Sequence, residues 1–340
     1  MAFDPMFHAL LVQARKQALA KSKGRPKYPK MPVARYPVLL ERKYAAYLQR
    51  LLDLLTQIGN EWVRTQYAQA LQDYRRTDSD DLHQDADSHA LVFSLMEPLR
   101  EAQLAMDLEA GGAAAIAMAA TAEGVNAWVA KRFALERQIA LGAVYQPSEP
   151  WVQSALAEWV ETNRKLVKSL SGESLTRMES MVLEAIQTGQ RPEELVPRIY
   201  NLNRAMGLNR ARLIAADQIG KLQGLLTEQR SLAVGMDTYT WQTAMDERVR
   251  GNPGGKYPTA RPSHWACQGK VGVFGDPTVW IVDGKKVPRS GNVPMAAPGM
   301  EIRCRCVASS RWEDVLKPID QELLADPYAL AEMGLGPWPQ

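Results

Sequence analysis

The chain has 340 residues, 46% hydrophobic and 23% charged, an ordinary composition for soluble protein at a length sufficient for two or three cored domains. No run of 18 consecutive apolar residues occurs, so neither a membrane span nor a membrane partner is expected. Three cysteines, an odd number, argue against a disulfide-stapled secreted domain and for folding in a reducing cytoplasm.

The net charge of +3 is unevenly distributed: residues 1–43 hold ten lysines and arginines against Asp4 and Glu41. Residues 1–36 are therefore expected to form a basic, proline-rich arm. Within it, Phe7, Leu10, Leu11, Ala14 and Ala18 recur at helical spacing over 6–21. Pro26, Pro29, Pro32 and Pro37 then favour an extended linker. Arg15, Lys16, Lys21, Lys23, Arg25, Lys27 and Lys30 are candidate contacts to a polyanion such as DNA. A solvated tail, or an arm docked on an acidic protein surface, reads the same residues equally well.

Residues 37–235 read as a helical domain. Pro37 opens a helix that carries Leu40, Tyr44, Tyr47, Leu48, Leu51, Leu55 and Ile58 and runs to about Tyr74. Asp78–Asp81 caps a second, from about Leu82 to Leu108. In it His83, Asp85, Asp87 and His89 invite a metal reading that capping and a polar face explain as well. Gly111-Gly112 breaks the pattern. Helices are then predicted over 113–145, 151–170, 173–188, 192–199 and 209–234.

After Gly235 the texture changes to a β-rich module spanning 236–312. Strands are predicted at 239–243, 271–274, 278–282, 285–287 and 302–308, with Asp283-Gly284 as a hairpin turn. Residues 313–340 are expected to form a C-terminal tail. The fold class expected is therefore α+β, a long, mainly helical body followed by a small β-rich module.

The chemistry concentrates in that module. His264-x-x-Cys267 and Cys304-x-Cys306 offer four soft ligands in two short pairs, the logic of a structural zinc site, and zinc is the one cofactor the residues suggest. Alternate residues of a strand point to opposite faces, so the second pair needs a turn or bulge at Arg305. Buried apolar cysteines, or a disulfide from Cys267 to Cys304 or Cys306, are competing readings. Asp246, Arg248 and Arg250 form a dense charge cluster, read as a structural network ordering the loop after the first strand. Together with His264, the same residues give the alternative of a metal-dependent nuclease-like enzyme. No Ser-His-Asp or Cys-His order is convincing, and no phosphate loop is present.

Three segments taken together carry a family resemblance. They are Trp241-x-Thr243-x-x-Asp246-Glu247-Arg248-Val249-Arg250, then Arg261-Pro262-x-His264 with Gly269-Lys270-Val271, then Pro298-Gly299 with Cys304-Arg305-Cys306. With Pro37-x-x-Leu40-Glu41-x-x-Tyr44 and Arg212-Leu213-Ile214-Ala215-Ala216-Asp217-Gln218 upstream, the chain resembles the phage Mu gpF-like family of minor head (head morphogenesis) proteins over about 37–311. It departs from the pattern between Gly251 and Arg261. The resemblance implies a non-enzymatic minor component of a tailed-phage or prophage head, assembled in the host cytoplasm and resident in the virion. It implies portal protein and major capsid protein as partners and a part in head assembly, DNA packaging or DNA delivery. Phage DNA would be met through the basic arm. A free cytoplasmic DNA-binding factor is a further alternative.

Overall fold

The computed structural model describes residues 5–69, 84–188 and 190–339. It is α+β, as expected, and divides into two compact units. The first comprises Met1–Val38, Glu123–Gln153 and Ala216–Gln340, the second Leu39–Ala122 and Ser154–Ala215. The helices are α1 (Pro5–Lys21), α2 (Val38–Trp62), α3 (Gln84–Leu141), α4 (Trp151–Gln187), α5 (Pro192–Ala233), α6 (Trp312–Ala325) and α7 (Pro327–Glu332).

Several of these run through predicted breaks. Gly111 and Gly112 lie inside α3, Gly172 inside α4, and Pro197 inside α5, which merges the predicted 192–199 and 209–234 segments. A glycine costs an exposed helix only about 1 kcal/mol relative to alanine, and packing along a long helix outweighs it. Pro197 is the sixth residue of α5, and the burial of Leu195 and Ile199 beside it outweighs the one backbone donor it removes. The helix from Pro37 is α-helical to Trp62 and continues as a π turn over Val63–Tyr67. The side chains of His83, Asp85, Asp87 and His89 lie outside the described residues.

The second unit is helical. Trp62, Val63, Tyr67, Met96, Met178, Val182, Leu195 and Ile199 form its core. A buried Tyr44 hydroxyl donates to Asn163 Oδ1 at 2.7 Å.

The first unit combines helices with an antiparallel sheet of order β4-β3-β2-β1-β5. Its strands are β1 (Thr238–Gln242), β2 (Val271–Val273), β3 (Asp276–Val282), β4 (Lys285–Pro288) and β5 (Val307–Ser310). Alternation along β1 buries Tyr239 and Trp241 on one face, the period-2 rule of a half-covered strand. They pack with Cys267, Phe274, Trp280, Val293, Cys304, Cys306 and Ala308.

Both chain ends carry packed helices. In the arm, Phe7, Leu11, Arg15 and Leu19 form one buried stripe at four-residue spacing on α1. In the tail, Trp312, Leu316, Ile319, Asp320 and Leu323 are the buried face of α6. The two stripes meet in one core with Val234 and Met236. Within it, Arg15 Nε and Nη2 each donate to Asp320 at 2.7 Å. Both residues are almost fully buried. The proline-rich segment carries no helix or strand, yet it is pinned. The Tyr36 hydroxyl donates to Ala216 O, and the Arg35 carbonyl accepts from Trp128 Nε1 and Gln223 Nε2, each at 3.2 Å.

The apolar stretch of the third helix is also longer than the run of apolar residues in the sequence suggests. By length and composition, Gly112–Leu141 is apolar enough to cross a membrane. In the first unit its Val125, Val129 and Phe133 are buried, and Glu136 accepts a 2.9 Å bond from the Trp312 indole.

Candidate functional site

The module's loops are ordered by backbone and ion-pair contacts that converge on one buried corner. Arg250 contributes twice. Its carbonyl accepts from the backbone N–H groups of His264 and Trp265, both at 3.0 Å. Its guanidinium donates to Glu301 Oε2 at 2.8 Å. That same carboxylate oxygen lies 2.9 Å from His264 Nε2, so it accepts from Nε2–H and turns Nδ1 the other way. Nδ1 then faces two sulfurs, Cys304 Sγ at 3.3 Å and Cys306 Sγ at 3.4 Å. The imidazole is also packed edge-on against Trp241, with centroids 5.8 Å apart.

The route by which both cysteines reach one point differs from expectation. The final strand begins at Val307 rather than 302, so Cys304 and Cys306 precede it and strand alternation does not separate them. The turn lies earlier: Arg303 sits at φ +57° and Cys304 N–H donates to Glu301 O at 2.9 Å. This segment lies directly on α5. A Cβ at Gly220 would fall 2.8 Å from Cys304 O, and one at Gly299 (φ +90°) would fall 2.6 Å from Gly220 O. Glycine is required at both positions because backbone meets backbone there.

The local electrostatics separate the thiols. The hydrogen bond from the Cys306 thiol, then the adjoining His264 imidazole and the Gly299 amide, hold the Cys304 thiol well below its ordinary value against the opposing effect of burial. Donating to Cys304, together with burial, pushes Cys306 up. Cys267 is pushed up to about 11 by burial.

Three of the four predicted ligands are thus brought together, with donor atoms of His264, Cys304 and Cys306 within 4.8 Å of one another. Cys267 lies in the same apolar cluster but outside that triplet, its thiol 3.6 Å from the Ser263 carbonyl. The predicted charge cluster is dispersed. Asp246 pairs with Arg305 at 2.8 Å and accepts from the Arg248 backbone amide at 3.0 Å. The Arg248 side chain is exposed, and Arg250 turns to Glu301. Asp246 and His264 are therefore engaged with different partners, an arrangement unlike a shared nuclease centre. A thiol–imidazole–carboxylate line also resembles an activated nucleophile, but Cys304 and His264 are each only 2% exposed, closed to a substrate.

The basic residues of the arm also separate. Arg15 is buried against Asp320, which removes it as a DNA contact, and Lys16 pairs with Glu332. Lys21, Lys23, Arg25, Lys27 and Lys30 are exposed.

Sequence reasoning missed Glu301, which stands between Gly299 and Cys304 and belongs to neither motif. It also missed Arg289. This buried guanidinium stacks 3.8 Å from the Trp280 ring centroid. It donates to Val279 O, Pro294 O, Ala296 O and the Tyr239 hydroxyl, fixing the loop that leads to Gly299.

Residues 176–309 match the family model described as phage Mu protein F like protein. Over that span the chain is similar to the phage Mu F-like family, a likeness that suggests a virion-associated phage head morphogenesis protein. The chain is also similar to an uncharacterized protein of Haemophilus influenzae, 26% identical over 165 residues. That match covers 48% of this chain and 31% of the relative, so the similarity spans about a third of the relative's length. No solved structure matches the chain.

Proposed function

We propose that the protein is a non-enzymatic minor component of a tailed-phage or prophage head, associated with the portal and the capsid interior, that assists head assembly, DNA packaging or DNA delivery. The observation that carries this reading is the family match over 176–309, the span whose motifs build the buried corner. Those motifs hold structure: the Asp246, Arg250 and Glu301 side chains tie loops together, and the thiols lie inside the core. Portal and major capsid protein are the partners this reading names. DNA is met by Lys21, Lys23, Arg25, Lys27 and Lys30, whose exposed charges suit salt-sensitive, sequence-independent binding to phosphates.

The test is quantitative mass spectrometry of heads purified after phage induction, with and without the gene. The chain is expected in a small fixed number of copies that co-sediment with portal protein, and its deletion is expected to reduce DNA-filled heads. Heads that lack the polypeptide, with the protein confined to the soluble fraction, would overturn the proposal. Divalent-metal-dependent cleavage of duplex DNA that disappears in Asp246→Ala would overturn its non-enzymatic part.

A further inference from the structure

The buried corner has the chemistry of a coordination sphere. The two sulfurs and the imidazole nitrogen face one another at 3.3 and 3.4 Å. Bond lengths of about 2.3 Å to sulfur and 2.0–2.1 Å to nitrogen around a tetrahedral ion place neighbouring N and S ligands about 3.5 Å apart. Behind the imidazole, Glu301 holds Nε2–H at 2.9 Å, the carboxylate–histidine arrangement that orients a ligating ring. On the other side is the Trp241 indole N–H. It is fully buried, makes no well-formed hydrogen bond, and has the Cys306 thiol as its neighbouring acceptor. A metal-bound thiolate would give that donor an anionic acceptor. A Cys304–Cys306 disulfide would instead leave both the indole N–H and the imidazole Nδ1 without a partner of matching charge.

We propose that His264 Nδ1, Cys304 Sγ and Cys306 Sγ, completed by Cys267 Sγ, bind one structural zinc ion. The three thiols enter as thiolates, and their protons pass to solvent on binding. Cys267 lies in the same core, and its thiol is tied to the Ser263 carbonyl by a weak bond of 3.6 Å, a contact it would give up on turning to the metal. Zinc would then lock the 263–267 loop to the 299–306 turn in a unit whose sheet has only five short strands, where a staple adds most to stability.

The test uses the full chain, expressed with zinc in the medium and never exposed to chelator. Elemental analysis is expected to give about one zinc per chain. Titrating the wild-type thiols with a mercurial, in the presence of a zinc-sensing dye, is expected to release that zinc. This arm needs no variant to fold. Glu301→Gln is expected to keep the one-to-one stoichiometry at saturating zinc but weaken binding by about 10–100-fold, and Cys304→Ser with Cys306→Ser is expected to abolish it. With cobalt in place of zinc, the thiolate-to-metal absorption of Cys267→Ala is expected to fall by about a third, as three thiolates become two. Less than half an ion per chain, zinc that survives thiol titration, or a free-thiol count of one from an internal disulfide would overturn the proposal. Unchanged cobalt absorption in Cys267→Ala would overturn the assignment of the fourth ligand.

Discussion

Replacing Asp320 tests whether the N-terminal helix is part of the fold. Asp320 is 1% exposed and receives two 2.7 Å bonds from Arg15, which is 4% exposed and also donates to the Lys27 carbonyl. Asp320→Ala leaves a guanidinium buried with only carbonyl and aromatic partners, a loss of about 3–5 kcal/mol for a broken buried pair. Arg15→Met combined with Asp320→Leu removes both charges and fills similar volume, so the double variant should lie within about 1 kcal/mol of wild type. The assay is urea unfolding of the full chain, with the four proteins arranged as a double-mutant cycle. The reasoning extends to truncation. Deleting residues 1–36 also removes Phe7, Leu11 and Leu19, each no more than 1% exposed and each contributing about 1.5–3 kcal/mol by burial. The shortened chain should therefore expose its α6 face and aggregate or unfold early. If Asp320→Ala costs less than about 1 kcal/mol and the truncated chain unfolds at the wild-type midpoint, the helix is not anchored and the packing argument is refuted.

Three further outcomes are expected. Arg289→Lys replaces a five-donor planar group by a point charge, loses the Trp280 stack and strands carbonyls of residues 294 and 296. A loss of about 2–4 kcal/mol in chemical unfolding is expected, and a loss under about 0.5 kcal/mol would contradict it. Burial raises the Glu228 carboxyl above its ordinary value against the opposing Gly275 amide bond, so ionising it penalises the folded state. Stability should fall as pH rises from the ordinary glutamate range through the raised value. Glu228→Gln should therefore gain up to about 1 kcal/mol at neutral pH and nothing at pH near 4, whereas equal gains at both would refute the assignment. Changing Lys21, Lys23, Arg25, Lys27 and Lys30 together to alanine should leave thermal unfolding unchanged and flatten the salt dependence of duplex-DNA affinity. The slope should fall by about 0.9 for each phosphate no longer neutralised, and an unaltered slope in fluorescence anisotropy would exclude these residues.

The legible parts of the chain are those set by local periodicity. Tyr239 and Trp241 alternate along β1 and are both buried, and Asp283-Gly284 turns between β3 and β4 with both residues at positive φ. The continuity of the helices through 112, 172 and 200–208 is not legible, because glycine and short polar stretches lower propensity without forbidding a helix, and packing decides. The docked arm is hidden for a different reason. A run of cations suggests solvent, yet Arg15 falls between Leu11 and Leu19 at the four-residue spacing of the buried stripe, and Asp320 shares a face with Leu316, Ile319 and Leu323. That matched pair, 305 residues apart, is written in two periodic patterns but not in any local one. Glu301 and Arg289 are illegible because their roles exist only after the loops meet.

The boundary placed at Gly235 separates what the backbone joins. The helix signature at 212–218 leads into Gly220, whose missing side chain lets the 298–304 loop lie against α5, with Cys304 O and Gly299 O within 3.0 Å of where a Cβ would be. That seating places Cys304 and Cys306 before β5, in the turn started by Arg303, rather than along a strand. Arg250, from the loop after β1, then carries His264 to the same point through its carbonyl and Glu301 through its guanidinium. The separated motifs after residue 236 are thus walls of one buried corner, which lies within the matched span 176–309. A change in any one wall should propagate to the others: a Cβ at position 220 must displace the turn that holds the cysteines, although residue 220 touches neither sulfur as a ligand. Gly220→Ala is therefore expected to weaken whatever the corner binds as well as the fold, a coupling that a β module ending its dependence at residue 236 would not show.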